Sequence, residues 1–233
     1  MSTLYIIGTP IGNLGDLSPR AAETFKTVDL VACEDTRRTL KLLNHLGIRR
    51  PLLSCRSQNE ETAAERVLAA LEEGKKVAYA SDAGTPGISD PGAVLVRKAA
   101  QAGHQVIPIP GPSAFASLVS VAGAADKTVI FEGFLSPKTG RRRTRLKELL
   151  ETGAAFVLYE SPFRVVKLCQ DLDELGADRR ICLGREMTKV HEEYLRGSPA
   201  EILTGLQQNS EQKGEFSLYI SGKKTGHHVD YCV

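Results

Sequence analysis

The chain has 233 residues, long for one average domain and comfortable for two small ones. Apolar residues make up 42%, enough for buried cores, and charged residues make up 25%, as in an ordinary soluble protein. The formal net charge of +2 excludes a polycation, so any nucleic-acid contact must come from a local patch. Five cysteines, at 33, 55, 169, 182 and 232, form no C-x-x-C pair. Neither a zinc ribbon nor a thioredoxin-type site is indicated, and reduced thiols in a cytosol fit best. The N-terminus opens into the strand-like Thr3-Leu4-Tyr5-Ile6-Ile7, so no signal peptide is expected. No apolar stretch approaches the ~20 residues of a membrane helix.

Short apolar runs predict strands at Leu4–Gly8, Val28–Cys33, Lys76–Ser81 and Gln105–Ile109. Further runs follow at Thr128–Glu132, Ala155–Tyr159, Arg180–Gly184, Glu192–Arg196 and Glu215–Ser221. Helices are expected between many of them. Ser18-Pro19, Asp90-Pro91, Ser161-Pro162 and Ser198-Pro199 each place a capping oxygen before a proline at the first helical position. Ser198 with Glu201 makes a capping box. Gly47, Gly74, Gly103 and Gly176 supply helix stops. This alternation predicts an α/β protein with a largely parallel sheet in the first half, and mixed pairing in the second. The strand count exceeds one compact sheet. The Pro-rich Pro108–Pro112 therefore marks a boundary, giving an N-terminal domain 1–113, a C-terminal domain 114–222 and a flexible tail 223–233.

Three unusual loops follow predicted strands, where ligands bind in open α/β sheets. Gly8-Thr9-Pro10-Ile11-Gly12-Asn13 is either a phosphate-type glycine loop or a tight turn, but matches neither G-x-G-x-x-G nor a Walker A. Ser81–Gly92 packs three Gly, two Pro and two Asp into twelve residues. Its Asp82 is placed to accept hydrogen bonds from ribose hydroxyls, and its Asp90 is expected to cap the next helix. Pro110-Gly111-Pro112-Ser113-Ala114 leads into a helix rich in small residues, and serves as ligand loop, domain linker or both.

Three charged segments stand out. In Cys33-Glu34-Asp35-Thr36-Arg37-Arg38 the bland reading has Asp35 capping a helix and the arginines solvated. Arg185-Glu186-Met187-Thr188-Lys189 is either a salt-bridged ribbon or the wall of a site. Arg141, Arg142, Arg143 and Arg145 form a basic run that either tracks a phosphate backbone or lines a solvated helix face.

Taken together, Gly8–Asn13, Cys33–Arg37, Ser81–Gly92, Pro110–Ala114, Tyr159-Glu160-Ser161-Pro162 and Arg185–Lys189 resemble the ordered motifs of the ribosomal RNA small subunit methyltransferase I family, within the tetrapyrrole-methylase-like superfamily. The resemblance runs from about residue 3 to about residue 222. It implies two α/β domains of the tetrapyrrole-methylase type with S-adenosylmethionine in the cleft between them, in a cytoplasmic homodimer. It implies 2′-O-methylation of a cytidine ribose in the decoding region of small-subunit rRNA, on free rRNA or the 30S subunit, without metal or membrane. Carried over by position, the cofactor touches Pro10, Ile11, Ser81, Asp82, Thr85, Ser113 and Ala114, and also Tyr159, Glu160 and Met187. The family usually reads Tyr-Glu-Ser-Pro-His-Arg, whereas Phe163 occupies the His position here. Members often continue into a small helical extension, whereas this chain stops at Val233. If that extension grips RNA, weaker binding or another RNA surface is expected.

A ribose hydroxyl is a poor nucleophile, so a base or a cation at the developing alkoxide is needed. Lys189, Glu34 and Arg37 are the candidates. Lys189 acts as a base only if its pKa is lowered, and otherwise stabilises negative charge. The alternative for each is a surface ion pair. His227, His228 and Cys232 on the polar tail are not expected to form a metal site. Competing functions are a tetrapyrrole precursor C-methylase and a non-catalytic rRNA-binding assembly factor.

Overall fold

The structure, a computed structural model, describes residues 2–124, 126–208 and 213–223. These residues group into two compact units, the first ending at Ser113 and the second beginning at Ala114.

The first unit holds β1 (Thr3–Ile7), α1 (Pro19–Thr27), β2 (Leu30–Cys33), α2 (Thr36–His45) and β3 (Leu52–Ser54). It continues with α3 (Glu60–Glu72), β4 (Lys76–Ala80), α4 (Ala93–Gln101) and β5 (Gln105–Ile109). All strand pairs are parallel, in the order β3-β2-β4-β1-β5. A parallel sheet is covered on both faces, which explains why β4 reads as a continuous apolar run. Val77 and Tyr79 face one core with Leu4, Leu71 and Leu95, while Ala78 and Ala80 face another with Phe25, Val28 and Leu43. Each fully buried Leu or Phe here contributes about 1.5–3 kcal/mol.

The second unit holds α5 (Ala114–Val121), β6 (Val129–Phe134), α6 (Thr139–Glu151), β7 (Ala155–Glu160) and α7 (Val165–Glu174). It ends with β8 (Ile181–Arg185), β9 (Glu193–Gly197), α8 (Pro199–Gln208) and β10 (Phe216–Ile220). The sheet order is β6-β7-β10-β8-β9, with β6 parallel to β7 and the other pairs antiparallel. Strand alternation sends Phe156 and Leu158 into a core with Leu146, Leu168 and Ile202. It sends Ala155, Val157 and Tyr159 into a second cluster with Leu118 and Met187.

The local signals largely hold. Ser18 Oγ accepts from Ala21 N at 3.1 Å, and Ser198 and Glu201 form the reciprocal capping box. Gly47, Gly74, Gly103 and Gly176 all take positive φ at helix ends. Two starts are corrected. Asp90 does not cap α4: Glu60 Oε1, from α3, accepts from Gly92 N at 2.8 Å and Val94 N at 3.0 Å. The helix after Ser161-Pro162 begins at Val165, because the intervening residues form a turn with Arg164 N and Val165 N both donating to Ser161 O. The second strand starts at Leu30 rather than Val28, since Val28 closes α1 by donating to Thr24 O. Strand β3 is additional to the expected set. At three residues it shows no periodicity and exists by pairing with β2. Residues 224–233 of the expected tail, with His227, His228 and Cys232, lie outside the described residues.

Candidate active site

In the first unit all three ligand-type loops leave the carboxyl edge of the parallel sheet and are stitched together. Thr9 and Gly84 form an antiparallel bridge, with Thr9 N donating to Gly84 O at 2.9 Å and Gly84 N to Thr9 O at 3.1 Å. Thr9 Oγ1 also donates to Ser81 O at 3.2 Å, and Thr85 Oγ1 to Pro112 O at 3.2 Å. Gly8 and Gly111 meet backbone to backbone. A Cβ on Gly111 would lie 2.6 Å from Gly8 O, and one on Gly8 2.7 Å from Gly111 Cα and N. Only glycine permits that approach. The platform therefore gathers Pro10, Ile11, Ser81, Asp82, Thr85 and Ser113 at one sheet edge; Ile11 and Ser81 are buried and the others partly open.

Beside the platform lies a pocket lined by Glu34, Asp35, Arg37, Arg56, Ser57, Gln58 and Asp82. These residues follow β2, β3 and β4. The chain leaves β2 toward β3 but leaves β4 toward β5, in opposite directions across the sheet, so the β2/β4 crevice is a topological switch point. Asp82 Oδ1 accepts from Asp35 N at 2.9 Å, and Arg38 Nε lies 3.5 Å from Asp82 Oδ2. Asp35 caps α2 and binds Arg37 at 2.6 Å. The side-chain and backbone hydrogen bonds from Arg37 hold the Asp35 carboxyl well below the usual carboxylate range. Burial, and then the charges of Asp82 and Asp90, push Glu34 up. Asp90 is raised by burial and by Asp82, against a hydrogen bond with Ser81. Glu34 is thus a carboxylate with greater proton affinity than usual, while Arg37, 83% exposed, is tied to Asp35.

In the second unit, Tyr159, Glu160, Met187 and Lys189 all stand at the sheet edge where β7 and β8 end, since Glu160, Phe216 and Arg185 are in register. Ala114, Tyr159 and Met187 share one hydrophobic cluster. Met187 packs on Gly184, where a Cβ would fall 2.7 Å from its sulfur. Glu160 departs from this group: alternation turns its side chain to the other face. There it is fully buried, with Arg164 Nη2 2.6 Å from Oε1 and Ser161 N donating to that oxygen at 2.7 Å. Among the described residues Glu160 Oε2 has no partner. Lys189 Nζ lies 2.8 Å from Glu186 Oε1 and 3.1 Å from Glu215 Oε2. Burial alone would lower its pKa, but the hydrogen bonds to the two carboxylates outweigh it and raise the net value. These surroundings favour the charged ammonium rather than the neutral amine a base requires.

One feature of this segment has no sequence signal. Glu186 and Thr188 take positive φ, 49° and 68°, and the buried Thr188 Oγ1 lacks a partner among the described residues. Positive φ is a strained state for a β-branched residue. The turn is closed by Lys189 N donating to Glu186 O at 3.0 Å, and Glu215 N ties it to the rest of the unit by donating to Glu186 Oε1 at 2.9 Å.

The arginine run is corrected most. Arg142 is buried, with Nε 2.6 Å from Asp171 Oδ2, so it is no surface phosphate ligand. Arg143 pairs with Asp171 and Glu174, and Arg145 with Glu132 and Glu148. On α6 these side chains meet Asp171 and Glu174 of α7, Glu132 of β6 and Glu148 one turn on, so their charge is largely met within the unit. Arg141 alone of the four is exposed without an ion pair among the described residues. Those residues also contain no cluster of three or more His, Cys, Asp or Glu fit for a metal, and no helix long and apolar enough to cross a membrane.

Residues 3–203 match the family described as tetrapyrrole (corrin/porphyrin) methylases. A ribosomal RNA small subunit methyltransferase I from Borrelia garinii subsp. bavariensis is 45% identical over 219 residues, covering 94% of this chain and 98% of the relative. Its Thermotoga maritima counterpart is 44% identical over 224 residues, 96% of this chain and 100% of the relative. The one from Synechocystis is 44% identical over 223 residues, 95% of this chain but 80% of the relative. Relatives of one name thus occur both with and without added length. Among solved structures, the cobalamin biosynthetic enzyme cobalt precorrin-4 methyltransferase aligns with a TM-score of 0.65 at 17% identity over 93% of this chain and 94% of its own, a likeness of fold alone. The chain belongs to the tetrapyrrole methylase family and, within it, to the ribosomal RNA small subunit methyltransferase I family.

Proposed function

We propose that this protein transfers the methyl group of S-adenosylmethionine to the 2′-oxygen of a cytidine ribose in the decoding region of small-subunit rRNA. It would act in the cytoplasm as a homodimer built from domains 1–113 and 114–222. The observation that carries the reading is the three-loop platform at the carboxyl edge of the parallel sheet, held together by the Thr9–Gly84 bridge and the Gly8–Gly111 backbone approach. Such a platform, beside the pocket that holds the carboxylates of Asp82 and Glu34, suits a nucleoside with ribose hydroxyls to donate. Bound there, S-adenosylmethionine supplies a methyl carbon activated by a sulfonium leaving group.

The chain's own residues orient and manage charge. Pro10, Ile11, Ser81, Asp82, Thr85 and Ser113 offer a rigid surface to the donor, with Ala114, Tyr159 and Met187 as the second unit's contribution. Rigid placement of this kind supplies much of the acceleration of an in-line displacement. Glu34, its proton affinity raised by burial and by Asp82, is suited to take the proton of a hydroxyl. Lys189 keeps its charge and is suited to offset negative charge on oxygen. Arg37 is held by Asp35 and serves as a cation at the pocket mouth.

Undermethylated small ribosomal subunits incubated with the protein and radiolabelled S-adenosylmethionine should acquire label on one cytidine ribose of the decoding region. A preparation that binds the donor yet labels no rRNA would overturn the substrate assignment. Label on a tetrapyrrole precursor instead would move the chain to the other branch of its family.

A further inference from the structure

We propose that the edge of the second unit where β6 and β7 end is a landing surface for unpaired RNA, with Phe163 stacking on a nucleobase and Lys138 and Arg141 holding the adjoining phosphates. The inference rests on the rRNA reading above and names residues that reading does not use or relies on only weakly.

Phe163 is 93% exposed, an extreme for a large aromatic side chain. The turn that carries it is pinned on both sides. Arg164 N and Val165 N donate to Ser161 O at 3.1 Å, Ser161 N donates to Glu160 Oε1, and Arg164 is ion-paired to the buried Glu160. The ring is thus presented on a rigid base, which lowers the ordering cost of stacking a partner on it. The neighbouring strand adds a second aromatic. Phe134, 57% exposed, lies opposite Tyr159 in the parallel β6–β7 pairing and stacks on it edge-on at 5.7 Å.

The loop that leaves β6 and the first turn of α6 supply the charge. Residues 135–141 contain Lys138 and Arg141 and no carboxylate. Both side chains are exposed, and neither has an ion pair among the described residues. This loop and the Phe163 turn leave adjacent parallel strands at the same edge, and Arg164 Nη1 donates to Leu135 O at 3.5 Å between them. Next to them, Arg142, Arg143 and Arg145 are ion-paired with Asp171, Glu174, Glu132 and Glu148, so within residues 135–145 the unpaired positive charge is that of Lys138 and Arg141. Exposed aromatic faces beside unpaired cations are what single-stranded nucleic acid requires, because every base has a stackable face and every linkage an anion.

The test uses the full chain and a short fluorescein-labelled single-stranded RNA, with the same sequence as a duplex for comparison, followed by anisotropy over a salt series. Phe163→Ala should weaken single-strand binding roughly five- to 150-fold without changing the salt slope, and Phe163→Tyr should restore it. Lys138→Gln with Arg141→Gln should flatten the slope of log K against log salt by about 1.4. Duplex should bind more weakly than single strand. S-adenosylmethionine affinity, measured in parallel, should be the same in every variant, which separates a failed RNA surface from a failed fold or donor site. If the wild type binds and methylates RNA but Phe163→Ala binds it normally, the landing surface is wrong and the methyltransferase reading stands. If Phe163→Ala instead alters sedimentation and leaves RNA affinity intact, the occupant is another copy of the chain and the proposal is overturned. If the wild type binds no short RNA, the landing surface falls, while the methyltransferase reading is still decided by the labelling of ribosomal subunits.

Discussion

Replacing Arg142 by Met separates a folding role from an RNA-binding role. Its side chain is 3% exposed and that of Asp171 5%, with 2.6 Å between Nε and Oδ2. Breaking a buried pair by removing one partner costs about 3–5 kcal/mol, because the remaining charge is left uncompensated. Arg143 Nη1 still reaches Asp171 Oδ1 at 3.0 Å, which places Arg142→Met at the low end, about 3 kcal/mol. For a chain of this size that lowers the unfolding midpoint by roughly 6–12 °C. Asp171→Leu leaves Arg142 buried without its carboxylate and should cost more. The double variant should be more stable than the sum of the two singles requires, since the apolar pair strands no charge. Thermal unfolding monitored by circular dichroism gives all four corners of the cycle. Salt titrations of RNA binding on folded protein should show Arg142→Met with the wild-type slope. A variant as stable as wild type, with a slope reduced by about 0.7, would show that Arg142 is a phosphate ligand and refute the structural role.

Three further outcomes follow from the site. Gly111→Ala forces a methyl group 2.6 Å from the Gly8 carbonyl oxygen, so it should destabilise the protein by about 1–3 kcal/mol and weaken S-adenosylmethionine binding about tenfold or more by calorimetry. Gly8→Ala acts on the same approach, and an additive double variant would mean the two loops do not meet. Glu34 has a folded pKa above its unfolded value, so its favourable contribution is present below the ordinary carboxylate range and is lost as pH rises through the folded pKa. Glu34→Gln should therefore gain stability relative to wild type at neutral pH, with the gain vanishing in acid; the opposite trend in urea melts would show that Glu34 is stabilised as the anion. Lys189→Met should lower kcat by about 10²-fold with donor affinity unchanged, while Lys189→Arg keeps part of the rate. Because Lys189 is raised, no rate increase at neutral pH should trace to its deprotonation, and one that disappears in Lys189→Arg would restore the base role.

Much of the site was legible from local chemistry. The three loops announce themselves through Gly and Pro density, since backbone conformations that only those residues tolerate are encoded residue by residue. Capping at Ser18 and Ser198, and the glycine stops, are likewise contacts within a few positions of the chain. Fold class emerged from alternation of short apolar runs with amphipathic segments, a periodicity set by neighbours in sequence.

Long-range partners decided the rest. Asp90-Pro91 has every local mark of a helix start, yet the cap is Glu60, thirty-two positions away from Gly92 along the chain. Four arginines in five residues read as one basic patch, but helix α6 turns three of them to carboxylates, Arg142 and Arg143 to Asp171, Arg143 also to Glu174, and Arg145 to Glu132 and Glu148, which come from elsewhere in the unit or from the next turn. Glu160 and Tyr159 are adjacent in sequence and face opposite sides of the sheet, because a strand alternates its side chains. The positive φ of Thr188 violates its own propensity, in a turn whose flanking Glu186 and Lys189 are bonded to each other and to Glu215. The sequence alone determined the loops, the caps and the class of fold, since those depend on conformational freedom and local hydrogen bonding. Only the tertiary structure decided which charges are spent inside the protein and which remain for a ligand, since that depends on what each side chain meets across the fold.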